Sequence, residues 1–200
     1  MQKTVIFDLG NVLVRWDPQA ILRRFSDDAP TREAYGKVLS GQCWTALDAG
    51  LMDYDKALKF YANLLQQPVS EIERLMQTMR ESLAPLPLGE ALLRDLHRHG
   101  TDLICISNMP LHAYRYLRQR YDYWPLFRGI VISAEVQLTK PNPAIFRYAL
   151  EKYALDPAQT LFVDDMQANI DAAAASGIAG VCYQNRPQDV EQVYRFVGAA

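Results

Sequence analysis

The chain has 200 residues, half of them hydrophobic and 22% charged, which is ordinary for a globular protein with one domain and an insertion or with two small domains. Its formal net charge is −2, so we expect neither a nucleic-acid partner nor a membrane partner. The N-terminus has no signal-peptide pattern and the three cysteines form no C-x-x-C pair, which favours a reducing, cytoplasmic location.

The first predicted element is a buried strand. The apolar run 5–7 ends in a single carboxylate, Asp8, and is followed by Gly10 and Asn11, which both tolerate the dihedral angles of a tight turn. Open α/β sheets bind their ligands at the carboxyl ends of strands, so Asp8 is a candidate functional residue. The alternative is that Asp8 only caps the turn.

Residues 17–82 have a helical pattern throughout, and no strand is predicted among them. N-cap residues and the helical spacing of apolar residues predict five helices, which begin near Asp17, Pro30, Trp44, Asp53 and Ser70. We therefore assign residues 16–85 to a helical domain that is inserted into a core formed by residues 1–15 and 86–200.

The rest of the chain alternates between strands and helices. The proline-rich residues 85–89 predict a linker. Apolar runs predict strands at 103–106, 129–133, 160–163 and 179–183, and helical patterns occupy 88–99, 111–121, 143–153, 170–176 and 190–197. Continuous apolar strands separated by helices are typical of a doubly wound, Rossmann-type parallel sheet, so the predicted fold class is α/β.

Polar side chains follow three of these strands. The carboxyl ends of parallel strands share one edge of the sheet. That edge would gather Asp8, Ser107, Asn108, Asp164 and Asp165, together with Lys140 from a neighbouring loop. Three carboxylates repel one another unless a cation lies between them, and oxygen ligands without a His or Cys cluster favour Mg²⁺. A carboxylate beside a metal and a lysine can attack phosphorus and form an acyl phosphate, with Ser107 and Asn108 donating hydrogen bonds to phosphate oxygens.

Each of these residues also has an explanation that involves no ligand. The two acids at 164 and 165 could form an exposed turn, and Lys140 could belong to a rigid loop before a helix. Ser107 and Asn108 could cap the helix that begins near Pro110, although capping and phosphate binding are compatible at a helix N-terminus.

Four short motifs, in order along nearly the whole chain, resemble those of the haloacid dehalogenase superfamily of hydrolases. They are F-D-L-G-N-V-L at 7–13, S-N at 107–108, K-P at 140–141 and D-D-x-x-x-N at 164–169. The helical residues 17–82 lie where the phosphatase branch of that superfamily carries a helical cap. The variant D-L-G-N-V resembles in particular a subgroup that includes bacterial α-D-glucose-1-phosphate phosphatases.

The resemblance implies a role for each motif residue. Asp8 would be the nucleophile and a metal ligand, and the backbone carbonyl of Gly10 a second ligand. Asp165 would be a direct acidic ligand with Asp164 beside it. Ser107 and Lys140 would hold the phosphoryl group, and Asn169 would orient the acidic pair or the lysine. The implied enzyme is a Mg²⁺-dependent hydrolase of a small phosphorylated metabolite, such as a sugar phosphate, and is a monomer or a homodimer.

Gly10 departs from the pattern of most phosphatases of this superfamily, which carry a second aspartate at that position as general acid and base. General acid catalysis is typically worth about 10²–10⁴ in rate. We favour substrates whose leaving groups depart with little protonation, such as glycosyl, acyl or aryl phosphates. Alternatively, Asp17 or His112 substitutes as the acid, or the pocket only binds its ligand. A 2-haloacid dehalogenase is a further alternative, which Gly10 and the paired acids argue against.

Overall fold

A five-stranded parallel sheet forms the centre of the computed structural model, which describes residues 2–198. The strands are β1 (Thr4–Phe7), β2 (Asp102–Ser107), β3 (Gly129–Ile132), β4 (Thr160–Asp164) and β5 (Ala179–Cys182). Their order across the sheet is β3-β2-β1-β4-β5, and every neighbouring pair is parallel. The predicted doubly wound α/β fold is confirmed. The chain adds strands first on one side of β1 and then on the other, so the ligand-binding crevice expected for such sheets lies between β1 and β4.

The central strands are buried on both faces of the sheet, as their continuous apolar runs indicate. In β1, Val5 and Phe7 belong to one core cluster and Ile6 belongs to the other, because successive side chains of a strand point to opposite faces. The first cluster also contains Trp44 and Leu75, which lie between β1 and β2 in the sequence. One continuous apolar core therefore joins the sheet to the helices inserted after β1.

Five helices lie between β1 and the next core helix. They are α1 (Pro18–Phe25), α2 (Ala29–Ser40), α3 (Gln42–Asp48), α4 (Tyr54–Leu65) and α5 (Val69–Ser82), and we call them the helical insertion. The predicted N-caps at Asp17 and Asp53 are confirmed, since both side chains accept backbone N–H groups of the following turn. Among residues 2–198, no helix combines the length and the apolar composition that crossing a bilayer requires.

The remaining helices alternate with the strands of the core. They are α6 (Pro87–Arg98), α7 (Leu111–Arg120), α8 (Ser133–Val136), α9 (Pro143–Lys152), α10 (Gln167–Ala174) and α11 (Pro187–Val197). Several predicted boundaries are wrong, including the start of α10, which begins at Gln167 and not at Ile170. Ser133 does not end β3 but begins the short helix α8. The last helix begins at Pro187, where Arg186 and Asp189 form a reciprocal capping arrangement ahead of the apolar stripe.

The predicted linker 85–89 is also wrong over its second half. Pro87 is the first residue of α6 and Gly89 the third. Proline suits the first turn of a helix because its missing N–H would have no partner there. A Cβ on Gly89 would lie 1.9 Å from the carbonyl oxygen of Val12, so this glycine lets α6 approach the loop after β1 closely.

Candidate active site

Three carboxylates meet at the carboxyl edge of the sheet. Asp8 follows β1, Asp164 ends β4 and Asp165 follows it. The two strands are neighbours, and the Asp8 N–H donates to the Val163 carbonyl at 2.9 Å. As a result, one carboxylate oxygen from each of the three acids lies within 4.8 Å of the others. The positions of these acids after predicted strands predict this convergence.

Lys140 brings a positive charge into the same cluster. Its Nζ lies 2.6 Å from Asp164 Oδ2 and 2.8 Å from Asp8 Oδ1, and it donates to the Ile106 carbonyl at 3.2 Å. The side chain is only 2% exposed. Burial alone would lower the pKa of Lys140, but the two carboxylates outweigh that effect and hold its pKa above the ordinary value. Lys140 therefore stays protonated between the two acids.

Asn108 holds the backbone of Lys140. Its side-chain amide donates to the Lys140 carbonyl at 2.8 Å, and its Oδ1 accepts the Lys140 N–H at 2.9 Å. The sequence predicts that Asn108 donates to a phosphate, but it does not predict this pairing with the backbone of Lys140. Ser107, at the end of β2, is buried and lines the cavity beside Asp8.

Two asparagines fix the two acids at the end of β4. Asp164 accepts hydrogen bonds from Asn169 Nδ2 at 2.9 Å and from the Met166 N–H at 2.8 Å. Asn169 is thus placed on the acidic pair, one of the two positions expected for it. Asp165 accepts from Asn11 Nδ2 at 2.9 Å. Asn11 has a φ of 52°, a conformation that asparagine tolerates better than most residues. The sequence suggested a turn at Asn11 but not this contact with Asp165.

The cluster carries more negative than positive charge in a buried setting. Burial raises the pKa of Asp8 to about 6, with Lys140 opposing the rise and Asp164 adding to it. Burial likewise raises the pKa of Asp165, against the hydrogen bond from Asn11. Asp8 Oδ1 is buried and accepts no aligned hydrogen bond. The three acids outnumber the one lysine and offer carboxylate oxygens as ligands, which fits a hard divalent cation such as Mg²⁺.

A cavity of about 240 Å³ opens above these residues, and one side of its wall comes from the helical insertion and from the residues next to its two ends. Trp16 and Trp44 stack on each other there with ring centroids 5.4 Å apart, and Met79 and Leu83 also line it. Asp48, the last residue of α3, adds a carboxylate to this largely apolar wall. Burial raises the pKa of Asp48 to about 7, while a hydrogen bond from the Trp44 side chain acts in the opposite direction. No sequence motif predicts a functional role for Asp48.

The two residues considered as substitute acids do not line this cavity. Asp17 Oδ1 accepts the Ala20 N–H at 2.9 Å and so caps α1. The His112 ring packs on Tyr54 with centroids 4.2 Å apart, and neither of its nitrogens has a hydrogen-bond partner. Burial lowers the pKa of His112 to about 4, so the ring is neutral at pH 7.

Comparison with known proteins supplies a family and several relatives. A sequence model of the haloacid dehalogenase-like hydrolases matches residues 2–177. Sesquiterpene phosphatase astK of Aspergillus oryzae (strain ATCC 42149 / RIB 40) is 28% identical over 179 residues, which cover 90% of this chain and 88% of that protein. Drimenol cyclase drtB of Aspergillus calidoustus is 25% identical over the whole chain, which spans 37% of its length.

A solved structure of similar fold comes from Bacteroides thetaiotaomicron. It is a HAD family enzyme, bt-2542, in complex with magnesium and inorganic phosphate. Its TM-score against this chain is 0.75 at 21% sequence identity, and the match covers 90% of this chain and 93% of that one. At this identity the likeness concerns the fold, which agrees with the sheet order and inserted helices described above.

Proposed function

The chain belongs to the haloacid dehalogenase-like hydrolase family, and its relatives support a phosphatase. We propose that it hydrolyses phosphate monoesters of small metabolites with Mg²⁺, and that the reaction passes through an aspartyl phosphate on Asp8. The observation that carries the proposal is the placement of Asp8. Its carboxylate lies 2.8 Å from the Lys140 ammonium and within a cluster of acids that can hold a divalent cation. A carboxylate so placed can approach a phosphate without the full repulsion between two anions.

Mg²⁺ would be held by Asp8, by the backbone carbonyl of Gly10 and by Asp165, with Asp164 beside them. Carboxylate and carbonyl oxygens are the donors that this ion prefers. When bound, the ion would neutralise negative charge on the phosphoryl group and on the nucleophile. Asn11 supports the proposal because its hydrogen bond fixes the orientation of Asp165.

Lys140 and Ser107 would bind the phosphoryl oxygens. The Lys140 ammonium is buried and its backbone is fixed by Asn108, so little conformational entropy remains to be lost when a phosphate binds. Asn108 would contribute chiefly through this positioning, although the residue also lines the cavity. Asn169 keeps Asp164 in place, and Asp164 in turn holds Lys140.

The helical insertion, with boundaries near residues 16 and 85, would act as a cap over the substrate. Its side chains form the outer wall of the cavity, and a closed wall excludes water from the reaction. The stacked indoles of Trp16 and Trp44, with Met79 and Leu83, favour a leaving group with a flat or apolar face. Such a face exists on aryl and terpenyl groups and on the carbon-bound side of a sugar such as glucose 1-phosphate.

The test compares the wild type with Asp8→Asn, each with and without Mg²⁺. The substrate panel contains α-glucose 1-phosphate, farnesyl phosphate, p-nitrophenyl phosphate and acetyl phosphate, with glycerol phosphate as a small polar ester. We expect phosphate release that requires both Mg²⁺ and Asp8. An independent readout is thermal unfolding, in which Mg²⁺ should stabilise the wild type more than Asp165→Asn, because that substitution removes a proposed ligand.

Three results would overturn the proposal. The first is turnover that persists in Asp8→Asn or is unchanged by a chelator. The second is metal-independent release of chloride from 2-chloropropionate without hydrolysis of any phosphate ester, which would indicate a dehalogenase. Absence of turnover on the whole panel, with Mg²⁺ still stabilising the protein, would indicate a binding protein instead.

A further inference from the structure

The residues that would hold the metal and the phosphoryl group leave the proton donor for the leaving group unassigned. Gly10 has no side chain to supply one, and neither Asp17 nor His112 lines the cavity. Resting on the proposed phosphatase function, we propose that Asp48 of the helical insertion is the general acid and base of the reaction. It lines the cavity that also contains Asp8, Ser107 and Lys140.

The location of Asp48 suits the geometry of phosphoryl transfer. The attacking and leaving oxygens lie roughly in line on opposite sides of phosphorus. Asp8 attacks from the sheet edge, so the leaving oxygen points away from the sheet and toward the wall formed by the helical insertion. Asp48 is the carboxylate that this wall contributes to the cavity among residues 2–198. An acid that serves the leaving oxygen is therefore expected from this part of the chain.

The backbone at Asp48 is fixed against the core. Its carbonyl accepts a hydrogen bond from the hydroxyl of Ser133, a fully buried residue that begins α8 directly after β3. The same hydroxyl accepts the Met109 N–H at 2.9 Å. Two residues later, Gly50 lies so close to α8 that an added Cβ would be 2.2 Å from the Ala134 carbonyl oxygen. The end of α3 is thus held directly on the core, which places the Asp48 side chain reproducibly.

The pKa of Asp48 suits a general acid and base. Because burial raises its pKa to about 7, a substantial part of the carboxyl population is protonated at neutral pH and the rest is ionised. General acid–base catalysis is most efficient when the pKa lies near the working pH. The titratable and charged groups that share its surroundings are Cys43 and Tyr61 of the helical insertion and Asp8, Lys140 and Asp165 across the cavity.

The proposed cycle balances protons and bonds. A carboxylate oxygen of Asp8 forms a bond to phosphorus as the bond from phosphorus to the leaving oxygen breaks. The leaving oxygen keeps the bonding electron pair and takes the proton of Asp48, so an alcohol departs and Asp48 becomes a carboxylate. Asp48 then takes a proton from water as the water oxygen bonds to phosphorus and the bond from Asp8 to phosphorus breaks. Inorganic phosphate and ionised Asp8 result, and Asp48 is protonated again.

The test uses Asp48→Asn, with Asp17→Asn as the matched control because asparagine caps a helix as well as aspartate does. We expect Asp48→Asn to lower kcat on alkyl phosphates by about 10²–10⁴, the usual value of a general acid. The initial burst of Asp8 phosphorylation from 2,4-dinitrophenyl phosphate should fall by less than about tenfold, because this leaving group departs without a proton. The phosphoenzyme should then accumulate, since the base for its hydrolysis is missing. Asp17→Asn should behave like the wild type.

Further readouts separate a catalytic role from a structural one. The wild-type pH profile of kcat should contain an ionisation near the pKa of Asp48 that disappears in Asp48→Asn, and Asp48→Glu should restore part of the alkyl phosphate activity. If Asp48→Asn does not fold, the wild type alone still tests the inference. Its rate should depend only weakly on the basicity of the leaving group, and a steep dependence would show that no acid acts.

Failure of this inference can be distinguished from failure of the proposed function. If the wild type hydrolyses phosphate esters in an Asp8-dependent way but Asp48→Asn retains alkyl phosphate turnover, the role of Asp48 is refuted and the phosphatase stands. If Asp8 is not required, both are refuted.

Discussion

Replacement of Lys140 by methionine tests the electrostatic balance of the site. Lys140 Nζ lies 2.6 Å from Asp164 and 2.8 Å from Asp8, and its side chain is 2% exposed. Breaking a buried ion pair by removing one partner typically costs about 3–5 kcal/mol, whereas exposed pairs contribute about 0–1 kcal/mol. Methionine keeps most of the volume and removes the ammonium group, with its charge and its hydrogen bonds. In the metal-free protein at pH 8 we expect the free energy of unfolding to fall by about 3–5 kcal/mol.

The loss of unfolding free energy in Lys140→Met should be larger at high pH than at low pH. Burial raises the pKa of Asp8 from 3.8 to about 6 in the folded protein, and Lys140 opposes that rise. Without Lys140 the pKa of Asp8 rises further. A carboxyl group with a raised folded pKa favours the folded state below its unfolded pKa, and this stabilisation is lost as the pH rises through the folded pKa. The deficit of Lys140→Met should therefore be larger at pH 8 than at pH 5.

The assay is urea unfolding with a chelator present, followed by tryptophan fluorescence at pH 5 and pH 8. Lys56→Met is the matched control, because Lys56 is exposed on α4 and should contribute little. A loss below about 1 kcal/mol at pH 8 would refute the reasoning, since it is the value of an exposed pair. A deficit that grows on acidification would refute the assigned role of Asp8.

Two further substitutions probe the junction between the helical insertion and the core. Gly50→Ala places a Cβ 2.2 Å from the Ala134 carbonyl oxygen at a φ of 67°, so we expect destabilisation and reduced turnover of alkyl phosphates. The control Gly100→Ala has a similar φ of 77° but open space around the Cβ, and it should cost only about 1–2 kcal/mol without affecting turnover. Equal effects would argue against tight docking. In His112→Phe, stability should fall less on acidification from pH 7 to pH 5. The depressed pKa of His112 makes the wild type lose stability as the pH falls from 6.5 toward 4, and phenylalanine keeps the packing on Tyr54. Thermal unfolding at both pH values measures this, and an unchanged slope would contradict it.

The strands and the sheet edge could be predicted because their signals are local. Strands buried on both faces need continuous apolar runs such as 5–7 and 160–163, and in a parallel sheet the residues after such runs necessarily share one edge. This topology predicts that Asp8 and Asp164 lie close together. It did not reveal that Lys140 contacts both of them, because the sequence pattern does not fix the path of the loop between α8 and α9.

Contacts between distant segments were harder to foresee. Gly89 looked like part of a linker, although its lack of a side chain serves the packing of α6 against Val12. Asn11 and Asn108 looked like turn or cap residues, yet their amides hold Asp165 and Lys140. In each case the residue type is compatible with a local role, so the sequence offers no reason to look for the distant partner.

Contacts between distant segments also explain why the sequence pointed to Asp17 as a candidate acid and not to Asp48. Asp17 follows Gly10 closely in the sequence, but its carboxylate is engaged in capping α1. Asp48 reaches the cavity because Ser133 and the close approach of Gly50 to α8 hold the end of α3 on the core. If Asp48 is the acid, turnover of esters with poor leaving groups requires this contact between α3 and the core, whereas activated esters can phosphorylate Asp8 without Asp48. The docking of the insertion would then control which substrates are hydrolysed as well as how they bind.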